Sequence, residues 1–251
     1  MKLDTTRAVI TGGASGLGAA TARYFVNHGA KVALFDLNED SGTVLAEELK
    51  CTFHKTNVID EVSVKNSISA ACASMGKITA TVNCAGIAPA ATTIGKNGPH
   101  PLHTFQKTVD VNLVGSFNVA RLAAEVMSRN DPEEDGARGV IINTASVAAM
   151  DGQRGQAAYA ASKGGIVGLS LPMARDLARS GIRVMAIAPG IFLTPMLQSL
   201  PQEVQEQLAN DVTCPKRLGY PDEYASLAAF IVENGYLNGE VIRIDGALRM
   251  Q

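Results

Sequence analysis

A chain of 251 residues, 46% apolar and 18% charged, can bury a substantial core and sits within the size range of one α/β domain, spanning residues 1–251. Its formal net charge is -2, with Lys and Arg scattered rather than clustered, so nothing points to nucleic acid or an anionic membrane as partner. The four cysteines, Cys51, Cys72, Cys84 and Cys214, fall in no metal-ligand spacing; they are expected as buried, reduced thiols, and no metal is predicted. No apolar run reaches membrane-spanning length, and the N-terminus passes directly into a first strand, so a cytoplasmic protein without a targeting peptide is expected.

Ala8-Val9-Ile10-Thr11 flows into Gly12-Gly13-Ala14-Ser15-Gly16-Leu17-Gly18, and the next stretch has helical spacing at Ala19, Ala22, Phe25 and Val26 with a stop at Gly29. The pattern predicts strand, glycine turn and helix. Glycines let backbone approach a diphosphate, and the helix N-terminus supplies free N–H groups and partial positive charge. The spacing G-x-x-x-G-x-G differs from the usual dinucleotide fingerprint and, taken alone, also fits a plain tight turn. The second strand, Lys31 to Phe35, ends at Asp36, followed by Leu37 and Asn38. A carboxylate there can accept hydrogen bonds from an adenosine ribose and repels a 2'-phosphate, and no Arg follows to receive one, so NAD is favoured over NADP. Asp36 could instead cap the next helix, a role that Asn38 fills as well or better.

Residues 51–56 form a plausible third strand, Asp60 caps an amphipathic helix from Glu61 to Met75, and residues 79–82 form a fourth strand running into Asn83-Cys84-Ala85-Gly86. This alternation predicts a doubly wound parallel sheet with helices on both faces and a ligand across the carboxyl ends of its strands. Residues 88–101 and 130–136 read as surface loops. Between them Leu102 to Met127 reads as one helix, apolar on more than one face, with the polar Asn112 in its middle.

A fifth strand, Val140 to Ala145, delivers Ser146. Tyr159 and Lys163 stand four apart in an Ala-rich helical segment and so share a face. An ammonium there is expected to stabilise the tyrosine phenolate and lower its pKa from about 10, making the phenol an acid or base. Ser146 meets them only if the chain turns back through Gly152 and Gly155; as a bare YxxxK the pair also fits an ordinary helix surface. Further along, Gly164, Gly165 and Gly168 would let another helix pack closely and read as an oligomer contact. Ile182 to Ala188 forms a sixth strand ending in Pro189-Gly190. Residues 191–214, with Phe192, Leu193, Met196, Leu197 and Leu200, fit either a movable substrate lid or a packed helical hairpin. A helix from Asp222 to Glu233 and a strand from Glu240 to Ile244 complete the sheet.

TGGASGLG at Thr11 to Gly18, NCAG at Asn83 to Gly86, Asn112, Ser146, YAASK at Tyr159 to Lys163 and the PG at Pro189 together resemble the short-chain dehydrogenase/reductase family over essentially the whole chain. The resemblance implies a single Rossmann-type domain with a seven-stranded parallel sheet in the order 3-2-1-4-5-6-7, and a homotetramer built on two long helices. It implies Tyr159 as general base or acid, Ser146 orienting the same substrate oxygen, Lys163 holding the nicotinamide ribose, and Asn112 seating a water on the proton path. It further implies NAD contacts at Gly12, Ser15, Gly16, Leu17, Gly18, Asp36, Leu37, Asn57, Val58, Asn83, Ala85, Gly86, Tyr159, Lys163, Pro189 and Thr194, with Ser146, Gln153 and Tyr159 facing the substrate. At Asn57 many members have Asp, but an Asn oxygen can still accept from an adenine amino group.

A finer resemblance, in the segment from Val140 to Ala178 and in the ending LNGEVIRIDGALRMQ, is to members that interconvert 3-hydroxyacyl-CoA and 3-oxoacyl-CoA and are also described as acting on hydroxysteroids. It implies a small-molecule acyl-CoA substrate, with Lys96 near its CoA end. Alternatives are an NAD-linked secondary-alcohol or steroid dehydrogenase and, in another class, an NAD-binding scaffold without required turnover. The set Asn112, Ser146, Tyr159 and Lys163 argues against the scaffold, because binding alone needs no proton-transfer group.

Overall fold

The computed structural model describes residues 1–96, 98–199 and 201–250. Its strands form where short, small or β-branched apolar runs are punctuated by Gly, Asn and Asp: β1 (Arg7–Thr11), β2 (Lys31–Asp36), β3 (Thr52–Lys55), β4 (Ala80–Asn83), β5 (Gly139–Thr144), β6 (Ile182–Pro189) and β7 (Val241–Ile244). All neighbours pair in parallel, in the spatial order 3-2-1-4-5-6-7. The helices are α1 (Gly16–Asn27), α2 (Glu39–Leu49), α3 (Glu61–Met75), α4 (Leu102–Val109), α5 (Gly115–Met127), α6 (Ala157–Leu177), α7 (Pro195–Gln198), α8 (Gln202–Asn210) and α9 (Pro221–Glu233).

A strand alternates its side chains between two faces, and here both faces are covered. Ala8, Ile10, Val32, Leu34 and Ile142 pack on one side with Phe25 of α1, Leu45 of α2 and Tyr224 of α9. Val9, Ala33, Phe35, Ile141 and Val184 pack on the other with Val64 of α3, Leu122 of α5 and Met173 of α6. Helix starts are fixed by side chains: Asn38 accepts from the Ser41 N–H at 3.1 Å, and Asp60 accepts from Val62 N–H at 2.9 Å and Ser63 N–H at 3.3 Å. Each such cap contributes about 1 kcal/mol. The buried Arg183 guanidinium on β6 donates to the carbonyls of Ile231, Val232 and Leu237, satisfying the end of α9 and tying it to the sheet.

Several expectations change. The helix from Leu102 to Met127 is continuous but contains a wider π turn at Asp110–Val114, centred on Asn112. The loop at 88–101 holds a small antiparallel hairpin, Ile94–Gly95 with Gly98–Pro99. Cys214 is exposed and Cys51, Cys72 and Cys84 are only partly buried, and all four lie outside the strands. Gly165 serves a contact within the chain: a Cβ there would lie 2.5 Å from a terminal methyl of Leu113 in the π turn, which would have to shift. Gly164 and Gly168 face open space.

Segment 191–214 carries the two short helices α7 and α8, and α8 buries none of its residues. Phe192 does not belong to any lid; it is buried in the main core, edge-on to Tyr224. Leu200 lies outside the described residues, as does Gln251 at the end of the predicted domain.

Candidate active site

Three of the four glycines in the turn after β1 have different jobs. Gly12 has φ +62° and passes so close to the β4 exit that a Cβ would lie 2.8 Å from Ala85 N; at Gly18 a Cβ would lie 2.2 Å from the Gly12 carbonyl oxygen. These two fold the turn tightly under α1. Gly16, φ +53°, meets nothing closer than the Thr194 methyl at 3.6 Å, and there the backbone opens onto a cavity. That cavity, about 420 Å³, runs across the carboxyl ends of β1, β2 and β4 between the turn, Asp36 and Thr194.

Of the predicted cofactor contacts, Gly12, Ser15, Gly16, Leu17, Gly18, Asp36, Leu37, Asn57, Val58, Ala85, Gly86 and Thr194 line this cavity. Asp36 is held rigidly: one carboxylate oxygen accepts from Ala14 N–H at 3.0 Å and the other from Asn38 N–H at 2.9 Å. No Lys or Arg is among the lining residues. Asn83 and Pro189 are not in the wall. The Asn83 amide is buried inside, donating to Asn143 Oδ1 at 2.9 Å and to the Ser116 carbonyl at 3.3 Å, where it joins β4 to β5 and α5. Pro189 ends β6, buried beside β7.

Beyond the cavity lie Ser146, Tyr159 and Lys163. The chain leaving β5 turns through Val147–Ala149 and doubles back through Gly152 and Gly155. Gly155 has φ +85°, and a Cβ on Gly152 would lie 2.9 Å from the Ala160 methyl, so both glycines are needed for the close return. The Tyr159 phenol thereby comes alongside the Ser146 hydroxyl, whose hydrogen-bonding capacity favours the phenolate. Ser146 Oγ also accepts from Ala148 N–H at 3.1 Å. Gln153, on the same loop, is exposed.

Lys163, one turn further along α6, is buried with its Nζ 5.8 Å from the Tyr159 ring centroid. It donates to the Thr144 carbonyl at 2.6 Å. Burial pulls its pKa down to about 8. For Tyr159 the expected direction is reversed: burial pushes the phenol up from its ordinary value, and the Ser146 hydrogen bond opposes this only in part. One Lys163 hydrogen goes to the Thr144 carbonyl and the Nζ stands 5.8 Å from the ring centroid, so burial is the larger influence on the phenol.

Asn112, wholly buried, uses its whole amide on protein atoms: Oδ1 accepts from Ile87 N–H at 2.8 Å, and Nδ2 donates to the Ile87 carbonyl at 2.9 Å and Ser162 Oγ at 3.0 Å. Ser162 in turn donates to the Tyr159 carbonyl at 2.7 Å. Asn112 therefore clamps the cavity wall at Ile87 to the helix bearing Tyr159 and Lys163.

Sequence reasoning missed Thr144, Ser162 and Ile87. The first two carry a weak signal, hydroxyls flanking Ser146 and Tyr159 in otherwise small apolar stretches; Ile87 acts through its backbone and has none. Thr144 also shares a buried hydrogen bond of 2.7 Å with Tyr224 on α9, which fixes the strand end that receives Lys163.

The chain matches the short chain dehydrogenase family over residues 6–205. It is 56% identical to the 3-hydroxyacyl-CoA dehydrogenase type-2 of Homo sapiens and 55% identical to that of Rattus norvegicus, in each case over 97% of this chain and 95% of the relative. The crystal structure of 3-hydroxyacyl-CoA dehydrogenase type-2 from Mycobacterium avium superposes with a TM-score of 0.95 at 43% identity, covering 99% of this chain and 98% of the other. With the parallel sheet, the glycine turn and the Ser146–Tyr159–Lys163 group in place, this chain belongs to the short-chain dehydrogenase family and is an oxidoreductase.

Proposed function

We propose that the protein interconverts (S)-3-hydroxyacyl-CoA and 3-oxoacyl-CoA with NAD. The observation that carries the reading is the juxtaposition of Ser146 and Tyr159 beside a glycine-floored cavity that ends at the anchored Asp36. The donor set fits NAD: Asp36 retains lone pairs for ribose hydroxyls, and a 2'-phosphate would meet a carboxylate and no cation in the wall. When bound, the nicotinamide supplies the hydride acceptor or donor.

The chain's own residues handle the proton. In reduction the neutral Tyr159 phenol gives its proton to the 3-oxo oxygen and becomes the phenolate, and in oxidation the phenolate takes the proton from the 3-hydroxyl. Ser146 already accepts from Ala148 N–H, which leaves its own hydroxyl hydrogen to donate toward the substrate oxygen. Lys163, with a pKa of about 8, keeps two hydrogens beyond the one on Thr144 and lies close under Gly86, within reach of a ribose. We assign Asn112 a positioning role through Ile87 and Ser162.

The acyl-CoA assignment follows the names of relatives similar along their whole length. Gln153, on the loop between Ser146 and Tyr159, suits contact with the substrate, Lys96 between the two hairpin strands suits the CoA end, and the exposed α8 suits a lid. A homotetramer fits the partly exposed Val114, Phe117 and Leu171 beside the open Gly164 and Gly168, and is checked by a solution mass. The functional test is a substrate panel with both cofactors. Preferred reduction of acetoacetyl-CoA by NADH is expected; equal turnover of simple ketones, or preference for NADPH, would refute the reading.

A further inference from the structure

Arg243 on β7 is the centre of an ionic cluster that the reaction does not use directly. Its Nη2 donates to Asp151 Oδ2 at 2.7 Å and to the Leu248 carbonyl at 3.1 Å, and its Nε donates to Asp245 Oδ2 at 2.7 Å. Asp245 is nearly buried, with 8% of its side chain exposed; it also accepts from Ala247 N–H at 2.9 Å and pairs with Arg249. A planar guanidinium can hold two carboxylates and a carbonyl at once, which an ammonium cannot do in a fixed geometry.

What the cluster joins is more telling than its strength. Asp151 lies on the loop between Ser146 and Tyr159, two residues before Gln153. On the other side, the turn after β7 holds the far end of segment 191–214: the N–H groups of Thr213 and Cys214 donate to the Gly246 carbonyl at 3.1 and 3.0 Å, and Thr213 Oγ1 donates to the Ala247 carbonyl at 3.1 Å. The same turn abuts the exit of β6, where a Cβ on Gly190 would lie 2.8 Å from Asp245. Gly246 and Ala247 are both left-handed, with φ of 58° and 62°, the second unusual for alanine, so the turn keeps this shape only while its contacts hold it.

We propose that Arg243, through Asp151 and Asp245, is a positioning residue that locks the 147–156 loop to the foot of the 191–214 segment and so fixes the two walls between which the substrate binds. The substrate part of this statement rests on the function proposed above; the mechanical coupling does not.

The test compares Asp151→Asn, Arg243→Met, Arg243→Lys and the double variant Asp151→Asn/Arg243→Met with the full-length protein. Hydrogen exchange is expected to quicken at 147–156 and at 201–214 together in either Asp151→Asn or Arg243→Met, with the glycine turn and α1 unchanged. Exchange confined to one wall, or raised evenly along the chain, would overturn the coupling. In the kinetic arm, KM for acetoacetyl-CoA should rise about tenfold with NADH affinity unchanged, the double variant should be little worse than either single, and Arg243→Lys should lie between. Additive effects, or equal loss of NADH binding, would overturn the positioning role. If the unaltered protein fails to turn over acetoacetyl-CoA, the proposed function falls while the exchange arm still decides the coupling.

Discussion

Asp36→Ala tests how the cavity reads its cofactor. The carboxylate has two structural partners, Ala14 N–H and Asn38 N–H, both near solvent, so water can replace much of what is lost. The stability cost is set at the low end of the range for an abandoned donor, about 1 kcal/mol. The binding cost is larger, because a hydrogen bond to a charged group contributes about 1.5–3 kcal/mol, which is about 10-fold to 150-fold in affinity. For NADPH the change has the opposite sign, since a carboxylate facing a phosphate at an effective dielectric of about 20 repels it by several kcal/mol. Titration of NADH and NADPH by their fluorescence on binding, with a melting curve beside it, should show NADH weakened at least about tenfold and NADPH bound no worse than before. An NADH affinity within about threefold of the unaltered protein, with the fold intact, would show that Asp36 does not read the ribose.

Gly165→Ala pushes a methyl against the Leu113 side chain and should destabilise by about 1–3 kcal/mol in thermal melts; a neutral or stabilising effect would refute the packing assigned to Gly165. Lys163 should titrate near pH 8 by NMR of its side-chain carbon, with Lys163→Met used for assignment; a midpoint above about 10 would contradict the burial argument. The folded pKa lies below the unfolded one, so the burial penalty is complete below about pH 8, and stability gained from this group rises with pH between about 8 and 10.4.

Local patterns carried most of the architecture because their causes are local. The capping of α2 and α3 by Asn38 and Asp60, the glycine turn, and the delivery of Ser146 at a strand end follow from residues within a turn or two of one another. What stayed hidden depends on long-range partners. Gly165 looked like an oligomer contact because Leu113, its neighbour in space, lies far back in the sequence. Phe192 looked like part of a lid because the apolar run around it does not reveal that Tyr224 waits in the core. The direction of the Tyr159 shift could not be read from a Lys four residues away: spacing places the charge nearby, but burial and the Thr144 carbonyl decide what that charge does. Asn112 announced itself as a polar residue in an apolar helix, yet its two-sided grip on Ile87 needs the fold to be seen.

The most direct test of the account is Tyr159→Phe, which removes one hydroxyl and keeps the ring. Loss of a positioned acid–base group should lower kcat for NADH-linked reduction of acetoacetyl-CoA by about 10²–10⁴-fold while NADH still binds with unaltered affinity. Turnover within about tenfold of the unaltered protein would mean that Tyr159 is not the proton-transfer group.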